Sequence, residues 1–327
     1  MEFFYMILFF LLALLYLLSP FLLGKFQKLP PSPFISLPVI RHLYLLKKPL
    51  HRTLAKISAK HGPILLLHFG SRPVLLVSSP SAAEECLTTN DIAFANRPRL
   101  LAGKHLGYNY TSLVWASYGA HWRNLRRIAS LEILSSHRIQ TFADIRRNEV
   151  RLLVKRLRAG TSDDGHNVVD MKSALFEMML NIMMRMIGGK RYYDDDESGN
   201  LEEERRRFKE IVTETFQLSG AANVGDFLPV LRWIGVDKLE KRLKVLKEKR
   251  DGFMQELIDE HRKMIKGSEG QRIQTLIDVL LSLQETDPEC YTDEVIRGMM
   301  QVLGLDFFHF IYLQGKNHFT PCVLRKN

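Results

Sequence analysis

The hydrophobic pattern changes period three times along the chain. Phe3 to Leu23 is an almost unbroken apolar run, interrupted only by Ser19 and Pro20 near its end. A bilayer core is spanned by about 20 apolar residues, so this run predicts a transmembrane helix. A cleaved signal peptide would need a positive leader, a shorter apolar core and a small-x-small cleavage site. Only Met1 and Glu2 precede the run, and no Ala-x-Ala follows it, so it reads as an uncleaved anchor. Leu29-Pro30-Pro31-Ser32-Pro33 and Pro38 then form a stiff spacer, because proline fixes φ and removes donors. Next come two apolar stretches, Ile64 to Phe69 and Val74 to Val77, around Gly70-Ser71-Arg72, which predict a β-hairpin within Pro63 to Ser78. Ser79-Pro80 predicts a helix start with Pro at its first position, running to Leu87.

From there the period is helical. Gly119 to Leu134 is a basic amphipathic stretch, and Asp144 to Leu157 is a further helix closed by Gly160 and a polar loop to Asn167. Asp170 is placed to cap a helix through Ile187, stopped by Gly188-Gly189. That segment is apolar nearly all round, which predicts a central, buried helix; its methionines suit flexible core packing better than a soft metal. Tyr192 to Gly199 reads as an acidic surface loop, and Asn200 with Glu203 as a capping box opening a helix through Leu218. Leu239 to Lys266 is a long helix with an apolar stripe and a Glu240–Lys244 pair. Thr275 to Leu283 is a shorter one, and Thr292 caps the last, with Asp293 and Glu294 in its first turn. There is no internal repeat. The fold class is therefore mostly α with a small β part.

Composition adds two constraints. With 46% hydrophobic and 25% charged residues the chain of 327 residues is globular and has ample core material. The net charge of +10 admits a nucleic-acid or membrane partner. Between Gly24 and Lys60 every charged side chain is Lys or Arg, directly after the apolar run. The charge is thus a juxtamembrane collar, which puts the body on the cytosolic side, and no nucleic-acid module is present. The three cysteines, Cys86, Cys290 and Cys322, are far apart and form no CxxC, so no disulfide framework is expected and the body belongs in a reducing compartment. Asn109-Tyr110-Thr111 is the only glycosylation sequon, and a cytosolic body leaves it bare.

The informative chemistry is Trp122-Arg123-Asn124-Leu125-Arg126. Trp122 and Arg126 are four apart and share one helix face, and an indole N–H beside a guanidinium fork suits a carboxylate or phosphate. Alone, the spacing also fits a packed Trp on a basic helix. The order of elements says more. Anchor, Pro-rich spacer, Gly62-Pro63 before a hairpin, Phe94-Ala95-Asn96-Arg97-Pro98, then Tyr118-Gly119-x-x-Trp122-x-x-x-Arg126, Phe227-Leu228-Pro229, and Tyr291-Thr292-Asp293-Glu294-Val295-Ile296-Arg297 follow one another. In that order the chain resembles the N-terminal portion, to about Leu303, of plant cytochrome P-450 monooxygenases, most of all the isoflavone and flavonoid hydroxylases. The family's spacer usually leads to Gly-Asn or Gly-His, where this chain has Ile40-Arg41-His42.

The resemblance implies a truncated cytochrome P-450 fold with an N-terminal anchor in the endoplasmic reticulum membrane, its body facing the cytosol. It implies heme as cofactor, the lipid bilayer and an NADPH-cytochrome reductase as partners, and a small apolar or aromatic molecule as substrate. Trp122 and Arg126, with Arg97 as a third, would contact the heme propionates, which Arg binds bidentately. The loop Leu100 to Trp115 and the stretch Phe216 to Ala222 would line the substrate pocket, with Tyr108, Tyr110, Trp115 and Phe216 suited to a flat aromatic. A surface loop held by buried aromatic anchors would show the same three loop residues.

The pattern then stops. The family's central helix carries Ala/Gly-Gly-x-Asp/Glu-Thr, where this chain reads Gly304-Leu305-Asp306-Phe307-Phe308-His309. The family's Phe-x-x-Gly-x-Arg-x-Cys-x-Gly loop, whose thiolate ligates iron, has no counterpart. Cys322 lacks the flanking glycines and arginine, Cys86 reads as a small core residue, and Glu203-Glu204-Arg205-Arg206 matches Glu-x-x-Arg only formally, on a solvated face. His309, His318 and Cys322 fit no standard metal spacing. The expected organisation is an anchor (1–24), a basic spacer (25–50), the family portion (51–303) and a non-family tail (304–327) from read-through or a frame change. These residues alone are expected to be inactive; the other class kept open is a non-catalytic, membrane-anchored partner of full-length relatives.

Overall fold

A computed structural model of the chain describes residues 29–47, 49–159, 166–193, 199–219, 224–228, 231, 238–267, 274–301 and 322–325, with residues 4, 5, 7, 8 and 11. Among these no helix is long and apolar enough to cross a membrane. Most of Phe3 to Leu23, and most of the tail with His309 and His318, lie outside the described residues. The chain divides into two units, Met1–Ala95 with Ala222–Asp237, and Asn96–Ala221 with Lys238–Asn327.

The first unit is built on the hairpin. Strands β1 (Ile64–Phe69) and β2 (Arg72–Val77) pair antiparallel from Ile64↔Val77 to Phe69↔Arg72. Alternation buries Leu65, Leu67 and Phe69 on one face. Gly70, at φ +58°, makes the tight turn, and a Cβ there would collide with the Phe227 carbonyl, which accepts from the Ser71 N–H at 2.8 Å. Helix α1 (Leu50–His61) precedes the hairpin. Helix α2 (Pro80–Leu87) follows it, its Ser79 cap accepting from Ala82 N–H; Cys86 is half-buried there rather than in the core. Ile40-Arg41-His42 has a local role. His42 is buried, its N–H donates to His68 O, and its Nδ1 accepts from His68 N–H, each at 2.8 Å. The imidazole thus completes the edge of β1.

In the second unit, helices α3 (Leu101–His105) and α4 (Ala120–Ile128) are followed by a wider turn, Ala129–Ile133. Helices α5 (Ala143–Ala159), α6 (Met171–Gly188), α7 (Gly199–Ser219), α8 (Lys238–Gly267), α9 (Leu276–Thr286) and α10 (residues 293–301) supply the bulk. Asp170 caps α6 by accepting from Lys172 and Ser173 N–H, and left-handed Gly189 ends it. Thr275 and Asp278 form a capping box on α9. As its pattern predicts, α6 is central: Leu180, Met183, Met184 and Ile187 are buried in one cluster with Phe208, Leu257, Ile277 and Leu280.

Two further sequence expectations are corrected. Tyr192 and Tyr193 are not surface-loop residues but core, 1% and 4% exposed. The Asn181 side-chain oxygen accepts both their N–H groups, and the Tyr192 ring stacks on Phe208 at 5.4 Å. Asn200 lies inside α7, which already runs at Gly199, so it is not the cap. Glu203 and Arg206 pair with each other on the exposed face, as expected. A strand Cys322–Arg325 pairs antiparallel with His166–Val169.

Candidate functional site

Helix α4 sets the site. Its buried face is Leu125 and Ile128, and Arg123 and Arg127 face solvent. Trp122 and Arg126 stand at the rim between the two, 40° apart around the helix by its 100° per residue. The Arg126 guanidinium carbon lies 5.3 Å from the Trp122 ring centroid, a cation–π contact that holds the fork over the indole. Trp122 is half-buried and Arg126 exposed, and no carboxylate engages either among the described residues. Tyr118 packs its ring 5.6 Å from Trp122, and its N–H donates to Asn96 Oδ1 at 3.0 Å. That bond ties the residue before Arg97 to the turn that starts α4, and Arg97 itself is exposed. Such a donor set can hold a carboxylate at its open edge: a bidentate fork beside an indole N–H.

The loop between α3 and α4 folds its aromatics inward by an unusual backbone. Tyr108, Asn109 and Tyr110 all have positive φ, at 50°, 52° and 66°. Side chains disfavour this region, and the cost is offset by bonds that close the turn: Asn109 N–H to Lys104 O at 2.9 Å, Tyr110 N–H to Gly103 O at 3.2 Å. Tyr108 is 2% exposed. Its hydroxyl donates to Asp251 Oδ1 at 2.8 Å, and the cations of Lys247, Arg250 and Arg297 lie within 5.9 Å of its ring. Burial pushes the phenol up to about 12. Trp115 sits on a glycine platform. A Cβ at Gly103 or Gly107 would fall 2.6 or 2.5 Å from its ring.

Of the residues expected to face substrate, Tyr108 lines a cavity of about 10 Å³ with Ser112, Leu113, Leu125, Val295 and Met299. Tyr110 is half-buried under the Arg99 guanidinium, 5.4 Å away. Trp115 is half-buried, and Phe216 packs on the main core from the last turns of α7. Sequence reading missed His105, Arg250 and Asp251, which tether this loop to α8. His105 Nε2 meets Glu240 Oε1 at 3.0 Å, and Arg250 donates to Leu106 O at 3.0 Å. The Gly103-x-x-x-Gly107 spacing was the available signal for the platform.

Comparison with known proteins bears on the family and the fold. The sequence profile of the cytochrome P-450 family matches residues 30–304. An isoflavone 2'-hydroxylase of Glycyrrhiza echinata is 47% identical over 285 residues, 86% of this chain and 56% of that protein. An isoflavone 3'-hydroxylase of Medicago truncatula is 46% identical over 279 residues, covering 85% and 55%. The chain therefore spans little more than half the length of these relatives. A zebrafish cytochrome P-450 solved with progesterone shares the fold at TM-score 0.60 and 21% identity, over 83% of this chain and 62% of that one.

Proposed function

Because the chain belongs to the cytochrome P-450 family, whose cofactor is heme, we propose that it forms the N-terminal part of a membrane-bound heme-thiolate monooxygenase that hydroxylates a small aromatic plant metabolite of the isoflavonoid kind. The observation in this chain that carries the reading is the Trp122–Arg126 rim, a guanidinium beside an indole that no carboxylate engages among the described residues. Arg126 would grip one propionate in its fork, Trp122 would donate its indole N–H, and Arg97 would approach from the segment held by Asn96. Heme, when bound, supplies the iron at which oxygen is activated. This chain's own work is to orient the group and to shape the substrate side. The Leu100 to Trp115 loop, with Tyr108, Tyr110 and Trp115, and Phe216 of α7 would supply aromatic side chains on the side of a flat apolar substrate.

The same reading places an apolar anchor at residues 1–24 in the endoplasmic reticulum membrane, the body in the cytosol, and an NADPH-dependent reductase as electron donor. The 327 residues contain no Cys-x-Gly thiolate loop, so by themselves they are expected to give no thiolate-type carbon monoxide difference band. The test joins residues 1–303 to the remaining part of the Glycyrrhiza isoflavone 2'-hydroxylase and expresses the chimera with a plant reductase in yeast microsomes. Isoflavones supplied with NADPH and ¹⁸O₂ are expected to gain one labelled oxygen. Arg126→Ala in the chimera is expected to lose most of its heme, and Arg126→Lys part of it. A chimera that binds heme yet hydroxylates no isoflavonoid or flavonoid would refute the substrate class. Undiminished heme in Arg126→Ala would refute the propionate role.

A further inference from the structure

The Pro-rich spacer leads into a turn that displays apolar side chains instead of hiding them. Arg41 N–H donates to Leu37 O at 2.9 Å, which leaves Pro38, Val39 and Ile40 at the tip. Ile35 is 80% exposed and Val39 71%, and Leu37, Ile40 and Tyr44 are exposed as well. The Tyr44 hydroxyl donates to Ile35 O at 3.1 Å and so joins the two flanks of the turn. Single exposed apolar residues are ordinary, but these five lie within ten positions and are drawn together by local hydrogen bonds.

The turn is pinned to the hairpin. Gly70 N–H donates to Ile40 O at 3.2 Å, and the neighbouring His42 is bound to His68 through both its own N–H and its Nδ1. Val39 and Arg41 have positive φ, at 63° and 48°. For a β-branched residue that conformation is costly, whereas glycine adopts it freely. A pinned, strained turn that keeps valine at its exposed tip calls for a surface other than water. Charge says which surface. Between Glu2 and Glu84 the chain has nine Lys or Arg and no Asp or Glu. Of these, Lys47, Arg52, Lys56 and Lys60 are exposed on and just before α1. Apolar side chains, a tyrosine and cations in one stretch fit the boundary of an anionic bilayer, where they take the acyl edge, the headgroup level and the phosphates respectively. Ile35 is twelve residues from Leu23, a reach of at most about 40 Å, which keeps the turn near the bilayer that the Phe3 to Leu23 run would enter.

We propose that the turn from Leu37 to Arg41, with Ile35 and Tyr44, is a second membrane contact, seated in the interface of a bilayer that contains anionic phospholipid. It rests on the proposed anchor at residues 1–24 and adds to it: the anchor tethers the chain, and the turn fixes how the first unit is tilted against the lipid.

The test uses the full, unsubstituted chain in vesicles of phosphatidylcholine with or without phosphatidylserine. Each vesicle carries a phospholipid with a photoreactive diazirine near the top of its acyl chain. Flotation reports the anchor, and mass spectrometry maps the lipid adducts after illumination. Adducts are expected between Ile35 and Tyr44 as well as on the apolar run. Those on the turn should be about fivefold more abundant with phosphatidylserine and fall back as salt is raised. Val39→Asp is expected to lower the adducts on the turn about fivefold while flotation stays unchanged. Flotation with adducts confined to residues 1–34 would overturn the second contact and leave the anchor standing. A chain that does not float would overturn both. Equal yields on the turn in the two vesicles would overturn the anionic headgroup. Should Val39→Asp fail to fold, the adduct map of the unsubstituted chain still decides.

Discussion

Glu149 is a buried hub of the second unit. It is 2% exposed and receives Arg185 Nη1 at 2.6 Å, Arg191 Nε at 3.0 Å and Asn181 Nδ2 at 3.2 Å. Asn181 in turn fixes the backbone of Tyr192 and Tyr193. Removing the carboxylate leaves two guanidinium groups facing a buried hole. Glu149→Ala is expected to destabilise the chain by about 3–5 kcal/mol in urea titration. Arg147→Ala, which breaks the exposed pair with Asp144, should cost less than about 1 kcal/mol. Gly107 gives the opposite kind of test, since it adds atoms rather than removing them. Gly107→Ala places a methyl against Trp115 and the Gly103 carbonyl, so a loss of about 1–3 kcal/mol is expected, with a changed Trp emission as the local sign.

At the scale of elements, the junction of α8, α9 and α10 is electrostatic. Asp293, in the first turn of α10, accepts from Arg262 of α8 at 2.5 and 3.0 Å and from Gln284 of α9 at 3.0 Å. The Arg262 bonds, opposed by partial burial and aided by Gln284 and Gln255, hold its carboxyl well below the usual carboxylate range. A depressed folded-state value means that the unfolded chain binds the proton first. The stabilisation is therefore complete above about pH 4 and is lost as pH falls below it. Asp293→Asn is expected to be less stable at neutral pH and to lose less on acidification from pH 5 to 2, so the two curves converge; parallel curves would contradict this. What was legible in the sequence divides along the same line. Caps at Ser79 and Asp170, and the hairpin turn at Gly70, are local chemistry and could be read directly. The Trp122–Arg126 rim was legible because helical spacing alone brings the pair together. The burial of Tyr192 and Tyr193 was not legible, because it depends on Asn181, which is distant in the pattern. The inward turn of Tyr108 was hidden for a related reason: three successive left-handed residues break the helical period, and its partner Asp251 is more than a hundred residues away.

For the whole molecule, the proposed cytosolic placement of the body has a reporter already in place. Asn109 begins the only sequon and is exposed at the crest of the left-handed turn, so a glycosyltransferase on its side of the membrane would meet it. Microsomal expression is expected to give a chain whose mobility does not change with endoglycosidase; a shift would place the body in the lumen. The residue before it carries a further consequence. Electrophilic reagents such as tetranitromethane attack phenolate, and a phenol raised to about 12 and shut behind protein is almost wholly protonated at pH 8. Tyr118, which is exposed, should be nitrated quickly while Tyr108 stays silent. Nitration at Tyr108 then becomes a clock for the opening of the loop between α3 and α4, counted in modified residues without any substrate being present.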